Sequence, residues 1–422
     1  MKNSNLLNDG WELKSPRDIL LPKISFPVSS GRRMAKIEGN GSEFTMGHFY
    51  CGTTAVKGDT YRYYVRFKCS EDLNPYLNLI FSVYSDNFNN GIFEFRRDGE
   101  WLEGENTFVY NGGEKAEIRV TFRFSARGHV LLDELVFEET EPLPERKARI
   151  AIIKKGDDSL EEWGKVIDYV ANSDKPDLFL LPETFREGEE FEPIDGPTMS
   201  LMSRKAKQHG IYLAGSFHHL DAADNQYYNT GFIVDRQGKL MDRYDKLHPY
   251  SPEITDFGIM PGLRSPIFET DFGKVGMIIC YDSWFGDLTQ LLALKGAELI
   301  LLPNAGYNAA LMPARANDNC TRMATSSMGS RVSFWDTAGR DVFAPDAEET
   351  VCAGADDTFE DAVIDNGCEN AEIRRVTFNF NSNPSAHNWG GPMLSSPGGR
   401  RCRSDQRRLI QSQIEEELNR IW

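Results

Sequence analysis

The stretch KVGMIICYDSWFGD, residues 274–287, limits the fold of this chain more than any other. Residues 275–279 are small or apolar without a break, the pattern of a strand buried on both faces. The run ends on Cys280, and a turn-prone segment containing polar residues and glycine follows. Asp287 is then placed to cap the helix LTQLLALKG, which Gly296 stops. Strand, cysteine, turn and helix in that order put a thiol at the carboxyl end of a strand, where open α/β sheets carry their chemistry. A lone cysteine is more often a core residue, so residues upstream have to decide.

At 422 residues the chain is too long for one ordinary core, and two domains are expected. A formal charge of -17 argues against binding to nucleic-acid backbones or anionic membranes. No stretch has signal-peptide or membrane-span length, so a cytoplasmic protein is expected. The 7 cysteines are scattered and form no CxxC pair, which speaks against structural zinc or a disulfide framework.

Residues 1–140 read as β throughout. YRYYVRF, LNLIFSVY, GIFEFRR, AEIRVTFRF and HVLLDELVF are short aromatic and β-branched runs between turn signals. In AEIRVTFRF, Ile118, Val120, Phe122 and Phe124 share one face by the two-residue period. Asp98-Gly99 and Asn111-Gly112-Gly113 read as hairpin turns. An all-β sandwich of jelly-roll type is expected, with 141–147 as a proline-bearing linker.

From 148 to 395 the pattern alternates strand and helix. Ile150–Ile153 is a strand; Ser159 and Glu162 form a capping box ahead of a helix with Trp163, Val166, Ile167 and Val170 on one face. KPDLFLLPET and GAELILLPNA echo each other, which sets Glu183 and Asn304 at matching positions; Asn304 is therefore assigned to substrate binding. The echo suggests two related halves, hence two sheets inside and helices outside. The acidic stretch from about 345 to 372 reads as a solvated loop. VTFNFN is a late strand, and the tail 396–422 carries a final amphipathic helix.

A thiol needs help to attack an amide, because free cysteine is mostly protonated at neutral pH, with a pKa of about 8.5. A carboxylate can take the proton, and an ammonium favours both the thiolate and the oxyanion that follows. Glu183, just past a buried strand, Lys246 in DRYDKLHPYSPE, and Cys280 supply these parts without a metal or cofactor.

LPETF around Glu183, DKLH around Lys246, Glu253 ahead of Pro261-Gly262, and GMIICYD around Cys280, in this order, resemble the nitrilase superfamily of carbon–nitrogen hydrolases. The resemblance covers about 148–345 and, more roughly, the remainder to 395. It implies an α/β fold, a four-layer αββα sandwich, here preceded by the all-β sandwich. It implies Glu183 as general base and then acid, Cys280 as nucleophile through a thioester, and Lys246 with the backbone N–H of Tyr281 as oxyanion holders. Glu253 then orients the site, and a homodimer or higher homo-oligomer is implied. SWFGD after Cys280-Tyr-Asp and Asp318-Asn319 in ARANDNCTRM depart from the family's usual residues.

Cys280-Tyr-Asp is closer to amidase and carbamoylase branches than to nitrilases, so hydrolysis of a small-molecule amide or carbamoyl compound is the preferred reaction. Acyl transfer to an amine through the same thioester, and nitrile hydrolysis, stay open. So does a non-catalytic binding protein. The first domain loosely resembles carbohydrate-binding-module-like sandwiches, with Trp11 or Trp101 to stack on a glycan, although packing is the commoner use of such residues. His218-His219 with Asp221 and Asp224 lack metal-ligand spacing. His248 and His387 would serve only a papain-like arrangement that Glu183 and Lys246 make unnecessary.

Overall fold

A computed structural model describes residues 5–381, apart from 9, 30, 86–87, 93, 189, 320, 338 and 345–358, together with 412 and 413. It divides into two compact units, one built on the described residues of Met1–Pro144 and the other on those of Glu145–Val351 and Asp357–Ser382. Among the described residues no helix is long and apolar enough to cross a membrane.

The first unit is a pair of antiparallel sheets. One orders Glu12–Lys14, Met46–Thr54, Lys115–Arg123, Leu79–Ser85 and Phe88–Ile92; the other orders Arg96–Asp98, Trp101–Val109, Thr60–Cys69, His129–Glu139, Ala35–Glu38 and Lys23–Ser25. Inward residues alternate with outward ones. Ile118, Val120 and Phe122 from one sheet meet Tyr63, Val65, Phe67 and Leu132 from the other in a single buried cluster.

Three readings of this unit need correction. Phe124 does not continue the buried face: the strand stops at Arg123, Phe124 takes φ 55° and its ring is 56% exposed. GIFEFRR is not one strand, because Phe88–Ile92 and Arg96–Asp98 belong to opposite sheets. Asn111-Gly112-Gly113 is not a hairpin either. Its flanking strands, Trp101–Val109 and Lys115–Arg123, lie in different sheets, and the crossing is fastened by Tyr110 donating to the Gly113 carbonyl at 2.6 Å. Asp98-Gly99 does join a hairpin. Trp11 stacks on Phe49 at 4.1 Å and donates to the Leu6 carbonyl, while Arg66 and Lys68 cover the ring of Trp101. Both tryptophans are therefore used in packing.

The second unit carries β1 (Lys147–Lys154), α1 (Leu160–Asp174), β2 (Leu178–Leu180), α2 (Pro197–His209), β3 (Tyr212–Asp221), β4 (Gln226–Val234), β5 (Leu240–Asp245) and α3 (Ser251–Thr255). After these come β6 (Phe268–Glu269), β7 (Lys274–Met277), α4 (Gly286–Leu294), β8 (Leu299–Asn304), α5 (Met312–Asn319), β9 (Arg322–Ser327), β10 (Ser333–Trp335), β11 (Phe359–Asp365) and β12 (Glu372–Asn379). The main path runs β5-β4-β3-β2-β1-β9-β8-β7-β6, with β10 on β9 and β12 pairing both β1 and β11. Along the sheet its two halves pair in register at Lys154 with Ser327, between β1 and β9.

The halves face each other. Ile150, Ile152, Leu180 and Ile233 share a core with Val275, Met277, Leu299 and Leu301, and a Cβ on Gly231 would stand 2.3 Å from the Met277 sulfur. The alternate residues Ala151, Ile153 and Phe179 turn outward onto Trp163, Val166 and Ile167 of α1 and Met202 of α2. On the other side Gly276 leaves room for Leu292 of α4. The order is thus helix, sheet, sheet, helix. Ser159 caps α1 by accepting from the Glu162 N–H at 3.2 Å, but the expected box is only half formed, because the Ser159 N–H donates to Asp158 Oδ1 at 2.8 Å rather than to Glu162.

Two boundaries differ from expectation. α4 begins at Gly286, and Asp287 sits in its first turn. The acidic stretch is not all loop, since 359–365 forms β11 against β12, and Asp365 pairs with Arg375 at 3.0 Å. Opposite charge on the neighbouring strand gives that carboxylate a partner. The expected helix of the tail lies outside the described residues except for 412 and 413.

Ile152 is fully buried in the central strand, so Ile152→Ala is expected to cost about 2–5 kcal/mol in urea unfolding. Leu263, 97% exposed, should tolerate Ala within about 0.5 kcal/mol.

Candidate active site

The carboxyl ends of β2, β7 and β8 converge at one point. Glu183 follows β2, Cys280 follows β7, and Ala305 and Gly306 follow β8. All four line a cavity of about 430 Å3 with Lys246, Glu253, Asn229 and several aromatic rings.

Lys246 comes just after β5, where its backbone N–H donates to the Asn229 carbonyl of β4 at 2.9 Å. Its side chain is 1% exposed. Nζ donates to Glu183 Oε1 at 2.8 Å and to Glu253 Oε2 at 2.6 Å. Burial works against this ammonium, but the carboxylates of Glu183 and Glu253 favour it and its pKa is held above the ordinary lysine value. Glu183 Oε2 accepts from the Ala305 N–H at 3.0 Å. Glu253, on the short helix α3, also accepts from the Tyr250 N–H. Pro261-Gly262 completes this corner. The Gly262 N–H donates to the Lys246 carbonyl, and a Cβ there would come within 2.0 Å of the Asp245 oxygen.

Cys280 opens a 3-10 turn, Cys280–Trp284, at φ 43°. A non-glycine residue in that region carries roughly 1–3 kcal/mol of strain and must be held there. Asp282 does the holding. Fully buried, it accepts from the Ile279 N–H at 2.9 Å and from Tyr244 Oη at 2.7 Å through one oxygen, and from the backbone and ring of His248, both at 2.9 Å, through the other. One carboxylate therefore ties the cysteine turn to the segment that carries Lys246. The first backbone bond of the turn runs from the Asp282 N–H to the Ile279 carbonyl, which leaves the Tyr281 N–H ahead of it.

Burial pushes the Cys280 thiol up to about 12, and the Glu183 charge adds to the shift while Lys246 opposes it. Sγ lies 3.2 Å from the Gly306 carbonyl oxygen. The resting group is accordingly a thiol, and it needs a base to become a nucleophile.

Glu183, Lys246, Glu253, Cys280 and Tyr281 thus come together. Asn304 does not. It is fully buried at the end of β8, donates to Thr325 Oγ1 and to the Ser326 carbonyl at 2.9 Å, and is no part of the cavity wall. Its echo with Glu183 reflects the repeated strand rather than a shared task. His248 is held by Asp282 and stacks on Phe285 at 4.1 Å. No metal-holding group of His, Cys, Asp and Glu occurs among the described residues.

Sequence reading passed over Asn229 and Asp282. The Asn229 amide donates to Glu183 Oε1 and to Glu253 Oε1, both at 2.8 Å, so it spaces the two carboxylates. Nothing local to YYNTGFIV marks Asn229, whose two partners arrive from other elements. Asp282 lay inside the quoted motif but was read as turn chemistry. His218, set aside as a metal ligand, is on β3 opposite Asn229 and lines the cavity.

The sequence profile of the carbon-nitrogen hydrolase family matches residues 152–328, a span that contains Glu183, Lys246, Glu253 and Cys280. The chain is 30% identical over 233 residues to the omega-amidase NIT2-B of Xenopus laevis, covering 49% of this chain and 83% of that protein. Over 112 residues it is 35% identical to the N-carbamoylputrescine amidase of Solanum tuberosum, covering 26% and 37%. Among solved structures, Saccharomyces cerevisiae Nit3, described as a member of branch 10 of the nitrilase superfamily, aligns with a TM-score of 0.46 at 23% identity, over 57% of this chain and 92% of that one.

Asn229→Ala should lower kcat on the order of a hundredfold, because both carboxylates lose the donor that spaces them. Steady-state kinetics beside an unchanged circular dichroism spectrum would check this.

Proposed function

The chain belongs to the carbon–nitrogen hydrolase family, enzymes that act on carbon–nitrogen bonds other than peptide bonds, and from that premise we propose that it hydrolyses a small amide or carbamoyl compound through a thioester on Cys280. The observation that carries this reading is the buried contact of Lys246 with Glu183, in one cavity with the Cys280 sulfur. The matched relatives named as amidases favour an amide over a nitrile.

In the proposed reaction the Cys280 sulfur attacks the carbonyl carbon as Glu183 takes the thiol proton. The carbonyl electrons move onto oxygen, and the oxyanion is received by Lys246 and the Tyr281 N–H. When this intermediate collapses, the C–N bond breaks and Glu183 returns the proton to the leaving nitrogen. Ammonia or an amine departs, and the acyl group remains on sulfur. Water then gives a proton to Glu183 as its oxygen adds to the thioester. The second collapse breaks the C–S bond, releases the carboxylic acid and restores the thiol. Lys246 stays an ammonium throughout, and Glu253 and Asn229 act by positioning.

The high thiol pKa suits this route. A thiolate standing permanently beside Glu183 would face a like charge, so transfer of the proton during attack avoids that repulsion.

Cys280→Ala should abolish turnover of short amides and carbamoyl amino acids, and the acyl adduct seen by mass spectrometry in the parent should vanish. Retained turnover in that variant would reject the reading.

A further inference from the structure

The charges and rings of the cavity bear on which amide it takes. Among the described residues that line it, the carboxylates Glu183 and Glu253 face a single Lys246 ammonium, which is already bonded to both. Counting His218 as neutral, the net charge of that set is negative, and it holds no second lysine or arginine. Arg315, behind the wall, donates to the Trp284 carbonyl at 3.1 Å and does not line the cavity.

Much of the remaining wall is aromatic, with Thr184, Ala305 and Gly306 beside the rings. Tyr250 and Tyr281 meet edge to face at 5.3 Å, and Tyr281 is followed by Trp284 at 6.3 Å. Tyr250 and Trp284 are 52% and 49% exposed, which sets them toward solvent rather than in the core. In the same wall Phe257 lies over His218 with ring planes 23° apart, and His218 lies in turn on Phe191 at 4.9 Å. His218 thereby belongs to a stack of rings.

A carboxylate bound here would meet a net negative field with no lysine or arginine free to hold it, and would be disfavoured. A cation would gain from that same field and from the faces of Tyr and Trp rings, with which ammonium and guanidinium groups interact favourably. Resting on the amide-hydrolase reading above, we propose that the substrate is a small amide whose far end, away from the scissile bond, carries a positive charge.

Three primary amides of equal chain length, ending in ammonium, methyl and carboxylate, would test this with the full chain at low ionic strength. The expected kcat/KM order is ammonium, methyl, carboxylate, with about tenfold between successive members. In Trp284→Leu, and separately in the half-exposed Tyr250→Leu, kcat/KM for the ammonium amide should fall by a larger factor than for the methyl amide. Leadership by the methyl or carboxylate amide, or equal losses on both amides in both variants, would overturn the proposal while leaving amide hydrolysis intact. No turnover and no thioester with any of the three would overturn the underlying reading and this inference with it.

Discussion

A buried ammonium between two carboxylates is the interaction on which the second unit's site depends. Lys246, just past β5, reaches Glu253 seven residues on in α3 and Glu183 past β2, 63 residues back. Such clusters contribute little net stability, since desolvation offsets most of their attraction. Removing one member is another matter. Without Lys246 the carboxylates would stand near each other with only Asn229 between them, a loss of about 3–5 kcal/mol by the measure of broken buried pairs. The cluster therefore acts as a fastening for several loops, and its geometry follows from strands that end at one level of the sheet.

The cysteine is held by different means. It sits at the end of a parallel strand in a left-handed backbone conformation, and Asp282 meets the cost of that conformation with hydrogen bonds from Ile279, Tyr244 and His248. Two carboxylates thus divide the labour. Glu183 faces the sulfur and raises its pKa, while Asp282 lies behind the turn and fixes where the sulfur points. Each bridges elements that sequence separates.

Much of this was legible in the sequence because it rests on local patterns. The apolar run before Cys280, the N-cap at Ser159 and the paired Leu-Leu-Pro strands are set by short-range patterns, and all correspond to elements of the fold. Asn304 misled because a strand repeat copies backbone position without copying surroundings; Thr325 and Ser326 on the neighbouring strand claim its amide. Asn229 was invisible for the opposite reason. Its function comes from two carboxylates that arrive from other elements, which no local pattern announces. In the first unit, Asn111-Gly112-Gly113 carried correct turn chemistry, yet turn residues do not say which sheet the next strand joins.

The central claim is that the sulfur rests as a thiol and yields its proton to Glu183. The rate of Cys280 alkylation measured across pH, in the parent and in Glu183→Gln, tests it most directly. The account predicts that alkylation of the parent rises only at high pH, toward a midpoint of about 12. With the glutamate charge removed, that midpoint should move down even as turnover is lost. A parent midpoint at or below neutrality, unmoved by Glu183→Gln, would contradict it.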